Sequence, residues 1–132
     1  MARFASAIVL ALLVATPAFA EDPEPAKAPS ISAADLDALR QSGAAPVVID
    51  VRTAEEYAAS HIRGAINVPF DQVAQRIAEV DAPHGVALYC MVGPRARMGG
   101  AALLAAGYEK VLHLEGGLAA WQAAGLPVEG AP

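Results

Sequence analysis

Beyond residue 30, short β-branched runs alternate with stretches whose apolar residues recur every three or four positions, so the chain switches repeatedly between strand and helix periods. Val47-Val48-Ile49-Asp50-Val51 follows Pro46 and reads as a buried strand whose end delivers Asp50 and Arg52 to a loop. Ala65 to Val68 is a shorter strand stopped by Pro69, since proline removes a ladder donor. Val86 to Cys90 and Val111 to Leu114 are two more. Between them, Ser32 caps a helix with Leu36 and Leu39 on one face, ending near Gly43. Thr53 caps a turn carrying Glu55, Glu56 and Tyr57, and Val73, Ile77 and Val80 recur at helical spacing. Arg95 to Ala106 forms an alanine-rich helix stopped by Gly107, and Leu118 with Trp121 gives the core-facing side of a last helix ending near Gly125. This alternation predicts an α/β fold: a mostly parallel sheet of four to five strands with helices on both faces. Within the alanine-rich helix, Gly99 and Gly100 each cost about 1 kcal/mol relative to alanine, which points to a close approach of helix to sheet.

The first thirty residues follow other rules. Ala7 to Ala15 is an unbroken apolar run behind Arg3, and Ala18-Phe19-Ala20 has the small-x-small pattern of a signal-peptide cleavage site. A helical span needs about 20 apolar residues, and Thr16, Pro17, Glu21 and Asp22 cut this one short. The expectation is a signal peptide over residues 1–20, cleaved after Ala20, and a periplasmic or secreted mature protein free of the membrane. Residues 21–30 are rich in proline and acids and read as a flexible leader, with one domain over residues 31–132.

After that cleavage, eight cations face fourteen acids, a formal charge of −6 that argues against a nucleic-acid partner. Cys90 is the sole cysteine, so no internal disulfide can form and the thiol needs another explanation. It ends a predicted strand and precedes Met91-Val92-Gly93-Pro94-Arg95, where an open α/β sheet binds its ligands. A helix starting near Pro94 aims free amides and the positive end of its dipole at the sulfur, the setting that makes a cysteine a nucleophile. Gly93 lets the backbone curl around the sulfur, and Arg95 adds a planar cationic fork suited to oxyanions. The competing reading of a lone cysteine at a strand end is a small buried hydrophobe.

Val48-Ile49-Asp50-Val51-Arg52, Glu56-Tyr57 and His61 to Pro69 resemble the signature of the rhodanese domain. Cys90 to Arg95 is similar to that family's catalytic loop, Cys-x-x-Gly-x-Arg, and Leu114 to Leu118 with Trp121, Gly125 and Pro127 is similar to its C-terminal signature. The resemblance covers roughly residues 31 to 129. It implies a rhodanese-like three-layer fold and a sulfurtransferase in which Cys90 takes sulfane sulfur from a small donor such as thiosulfate. A persulfide then passes that sulfur to a thiophilic acceptor, cyanide or a thiol that can belong to a protein, in a ping-pong cycle with no metal or organic cofactor. By the same resemblance Met91, Val92, Gly93, Pro94 and Arg95 bind substrate. The four residues between Cys90 and Arg95, one fewer than in phosphatases and arsenate reductases of this fold, disfavour phosphate chemistry.

Asp50, Arg52, His61 and Arg97 form a supporting group. Asp50 and Arg52 are expected to pair and shape the cysteine loop, His61 to make structural hydrogen bonds, and Arg97, two residues past Arg95, to point elsewhere along the helix. His84 and His113 read as solvent-facing or structural. Two departures from the family pattern stand out: Pro94 removes a backbone donor from the loop, and Ser60 stands where glycine is usual. A non-enzymatic persulfide relay or sulfur sensor, and a redox thiol protein working through mixed disulfides, are the alternative functions.

Overall fold

A computed structural model describes residues 11–130. Three central strands, β2 (Val47–Asp50), β5 (Val86–Tyr89) and β6 (Val111–Leu114), are flanked by the two-residue strands β1 (Ser30–Ile31) and β4 (Ile66–Asn67). Their order is β1-β6-β5-β2-β4 and every neighbouring pair is parallel, with Ile49 opposite Leu88 and Leu88 opposite His113. Because side chains alternate across a strand, Val86, Leu88 and Cys90 face one layer while Ala87 and Tyr89 face the other. The first layer holds α3 (Val73–Arg76) and α4 (Pro94–Ala105); the second holds α1 (Ala33–Ser42) and α5 (Gly117–Ala123). Parallel pairing brings the ends of β2 and β5 to one edge, so Asp50 and Cys90 emerge there together.

Local chemistry sets the helix ends as the sequence predicts. Ser32 Oγ accepts the Asp35 N–H at 3.1 Å, and Gly43 closes α1 at φ +77°. Thr53 and Glu56 cap α2 (Ala54–Ala59) reciprocally. Gly99 lets α4 lie close to the sheet, for a Cβ there would stand 3.1 Å from Leu88 Cδ2.

Three features depart from expectation. The last residues of the leader belong to the fold: Ala28 packs on the core, the Pro29 carbonyl accepts the His113 N–H at 2.8 Å, and Ser30 pairs with β6. Backbone groups make this edge, so a search for large apolar side chains misses it. A second, antiparallel sheet joins β3 (His61–Ile62) to β7 (Val128–Glu129), two strands too short to leave a pattern. The Val73, Ile77, Val80 stretch is one α-turn followed by a 3₁₀ turn, Ile77–Glu79. The first ten residues of the expected signal peptide lie outside the described residues. The other ten have no regular structure and expose Leu12, Leu13, Val14 and Phe19. Among the described residues no helix is long and apolar enough to cross a membrane.

Candidate active site

Cys90 leaves β5 on the α4 side of the sheet, only 2% exposed, and the chain then wraps around its sulfur. The Gly93 N–H donates to Sγ at 3.1 Å. At φ +156° and ψ −42°, Gly93 occupies backbone space that L-residues avoid. Pro94 follows as the first residue of α4, where a helix has no use for the missing N–H, and the Arg97 N–H still reaches the Gly93 carbonyl at 3.0 Å.

The outer side of the loop is held by α5. Leu118 and Ala119 donate their N–H groups to the carbonyls of Cys90 and Met91 at 2.9 and 3.1 Å. In a planar trans peptide the N–H points opposite to the C=O, so the Met91 and Val92 amides are turned away from α5. Gly117 makes this approach feasible: at φ +58°, a Cβ there would stand 2.4 Å from the Cys90 oxygen. The glycines of the C-terminal signature thus have a physical task, which the sequence motif located without explaining.

The cations are arranged differently from expectation. Arg95 does not present an open fork: both of its terminal nitrogens bond Glu56, at 2.7 and 3.0 Å. That fork, and after it the Thr53 amide, hold the Glu56 carboxyl down at about 2. Arg95 and Arg52 share the lining of a cavity of about 310 Å³ with Thr53, Phe70 and Gln72. Asp50 and Arg52 form the expected buried pair, with Nη2 at 2.7 Å from Oδ2. Arg52 also donates to the Ser60 carbonyl at 2.6 Å and lies 6.0 Å from the centre of the Tyr89 ring. The pair therefore braces the turn after α2 and the residue before the cysteine, and it makes no bond to the loop itself. Burial, then the nearby Asp50 carboxylate, raise the Tyr89 hydroxyl well above the ordinary phenol range, and its oxygen accepts the Ile62 N–H at 3.0 Å. Ser60 sits at φ −166°, extended backbone open to any residue, which explains why glycine is dispensable there.

His61 is structural, as expected: Nδ1 lies 2.7 Å from the Tyr57 carbonyl, Nε2 lies 3.2 Å from Glu129, and the ring stacks on Tyr57. His84 is exposed. His113 is buried, so of the two expectations the structural one holds, although its side chain makes no hydrogen bond among the described residues. It is 2% exposed, its Nδ1 has no partner among the described residues, and burial, then Arg97, push its pKa down. Arg97 does not point away from the site but flanks Gly93 together with His113: a Cβ on Gly93 would lie 3.9 Å from Arg97 Nε and 3.8 Å from His113 Nε2. Met91 and Val92 form an exposed apolar rim.

A family model described as a rhodanese-like domain matches residues 32–124, which include the whole of this site. The chain belongs to the rhodanese-like domain family. This rhodanese-like domain superimposes on the solution structure of a rhodanese-like domain from Anabaena with a TM-score of 0.71, at 31% identity over 78% of this chain and 80% of that one. A thiosulfate sulfurtransferase from Pseudomonas fluorescens is 39% identical over 64% of this chain and 76% of its own. A sulfurtransferase from Allochromatium vinosum is 35% identical over 62% and 77%. An HTH-type transcriptional regulator of Mycobacterium tuberculosis is 42% identical over 78% of this chain, which spans 46% of that protein. Membership and these sulfurtransferase relatives support sulfur transfer as the general chemistry of the rhodanese-like domain.

Proposed function

We propose that the chain is an exported sulfurtransferase that carries sulfane sulfur on Cys90. The Cys90 thiolate attacks the outer sulfur of thiosulfate, the S–S bond to the sulfonate sulfur breaks, and sulfite leaves with that bonding pair. A persulfide remains on the enzyme. Cyanide or a thiolate then attacks the outer sulfur, forming thiocyanate or a new persulfide, and the Cys90 thiolate is regenerated. The observation that carries this reading is the Gly93 amide bonded to Sγ within a loop whose carbonyls are drawn off by α5. An amide fixed on the sulfur stabilises its negative charge without reorganising in each step. The exposed apolar run over residues 11–20 and the sole cysteine suit an export signal and a thiol that acts without an internal disulfide partner.

Intact mass after incubation with thiosulfate tests it: a gain of about 32 Da, one sulfur atom, lost again on adding cyanide, and absent in Cys90→Ala. A gain that cyanide or thiols fail to discharge favours a sulfur sensor, and an unchanged mass with every donor favours a redox thiol.

A further inference from the structure

β7 pairs with β3 over two residues, His61 opposite Glu129 and Ile62 opposite Val128, a ladder too short to hold by backbone bonds alone. Side chains supply the rest. Glu129 Oε1 accepts the Gly64 N–H at 3.0 Å and lies 3.2 Å from His61 Nε2, while His61 Nδ1 lies 2.7 Å from the Tyr57 carbonyl. A carbonyl oxygen only accepts, so Nδ1 carries a proton, and a neutral ring would turn the lone pair of Nε2 on a carboxylate oxygen that also only accepts. Both contacts are attractive together when the ring is an imidazolium, a charge that the stacked face of Tyr57, its centroid 3.7 Å away, also favours. The Gly64 amide, and with it His61, hold the Glu129 carboxyl below the usual carboxylate range, so the acid is charged where a histidine gains its proton. Arg63 is the other charge near Glu129, Arg40 bonds the Arg63 carbonyl, and Asp50, the other acid near Tyr57, is bonded to Arg52.

We propose that Glu129 is a positioning residue for the cysteine site, clasping β7 to β3 through a His61 imidazolium. This gives the site a pH control, and its effect on turnover rests on the sulfur-transfer reading. The residues on either side of His61 carry the clasp inward: the Ser60 carbonyl accepts from Arg52 at 2.6 Å, and the Ile62 N–H donates to the hydroxyl of Tyr89, the neighbour of Cys90. Beside β7, the Pro127 carbonyl accepts the Arg63 N–H at 3.2 Å and the Trp121 Nε1–H at 3.0 Å, and Trp121 belongs to α5, whose amides hold the loop carbonyls. Protonation of His61 closes the clasp, and loss of that proton as pH rises through the histidine range opens it. The sign is that of a cation gaining a partner on folding: the stability is present in mild acid and lost toward alkaline pH.

The test compares the full chain with Glu129→Ala, a change at a side chain that is 48% exposed, at about pH 5.5 and about pH 8. NMR follows the hydrogen-exchange protection of the Arg63 and Gly64 amides, which report the clasp, and the Gly93 amide shift, which reports the bond to Sγ. The wild-type excess in protection is expected to be about threefold larger at the lower pH. The Gly93 shift difference is expected to grow with it, and the ratio of wild-type to variant sulfur loading from thiosulfate, followed by intact mass, to rise about threefold. An excess in protection that is the same at both pH values overturns the imidazolium clasp. A pH-dependent excess with an unmoved Gly93 amide overturns the positioning role and leaves a clasp that only stabilises the fold. Loading whose ratio stays constant while Gly93 moves overturns the control on turnover. A mass unchanged by every donor, with the Gly93 amide still following the clasp, supports the positioning role and overturns sulfur transfer instead.

Discussion

Asp50–Arg52 and Glu56–Arg95 are both arginine–carboxylate pairs beside the cysteine strand, yet they sit in opposite surroundings. In the first, both side chains are almost wholly enclosed, 3% and 0% exposed; in the second they are 31% and 37% exposed. Burial strips water from both, so Arg52 depends on Asp50 and the Ser60 carbonyl for its hydrogen bonds, and the Asp50 carboxylate on the side chain and backbone N–H of Arg52. Glu56 and Arg95 keep water as an alternative partner, and Glu56 has a second duty as the cap of α2. The same chemistry thus serves as a fixed brace in one place and as an adjustable latch on the loop in the other.

Breaking the brace produces the largest effect. Arg52→Met leaves the Asp50 carboxylate buried without its partner, and a loss of about 3 to 5 kcal/mol is expected from urea unfolding. A loss below about 1 kcal/mol, the range of an exposed pair, removes the distinction between the two sites. Breaking the latch is milder. Glu56→Gln keeps the capping box, because glutamine can take the third position of the helix, and unfolding should shift by less than about 1 kcal/mol. Its chemical effect should be larger than its structural one. With the Arg95 fork released, thiosulfate gains a cation in the loop, and sulfur loading followed by intact mass should be faster. Slower loading would mean that Arg95 acts by staying anchored to Glu56.

Legibility in the sequence follows the same division between side-chain pattern and backbone contact. Val47 to Asp50, Val86 to Tyr89 and Val111 to Leu114 are readable because burial on both faces demands unbroken apolar runs. Cys90 and Gly93 are readable because their chemistry permits few substitutes, and Asp50 with Arg52 because a strand end delivers both. β1, β3 and β7 are not, since two-residue strands repeat no period. The grip of α5 on the loop is likewise made by backbone amides, which every residue there carries, so its sequence trace is a pair of glycines with no stated task. The pairing of Arg95 with Glu56 joins positions 39 apart, and the placing of His113 behind Gly93 depends on the strand order. Neither follows from local spacing.

The smallest effect is the acid response of the latch, and its sign is determined. Folding lowers the Glu56 carboxyl from its ordinary 4.5 to about 2 through the Arg95 fork and the Thr53 amide. A depressed carboxylate contributes stability that is fully present above its unfolded value and lost as pH falls through its folded one. Between pH 4.5 and about 2 the unfolded chain therefore binds the extra proton, and the latch weakens as acid is added. Other carboxylates titrate over the same range, so the useful quantity is the difference in stability between the wild-type chain and Glu56→Gln, whose amide does not titrate. That difference should be constant above about pH 5 and vanish near pH 2. It should also shrink at neutral pH in about 1 M salt, where the screening length is roughly 3 Å, while the Arg52→Met difference, sheltered from solvent, should persist. A Glu56 difference that survives both acid and salt would show that the charge of the carboxylate toward Arg95 is not what the substitution removes.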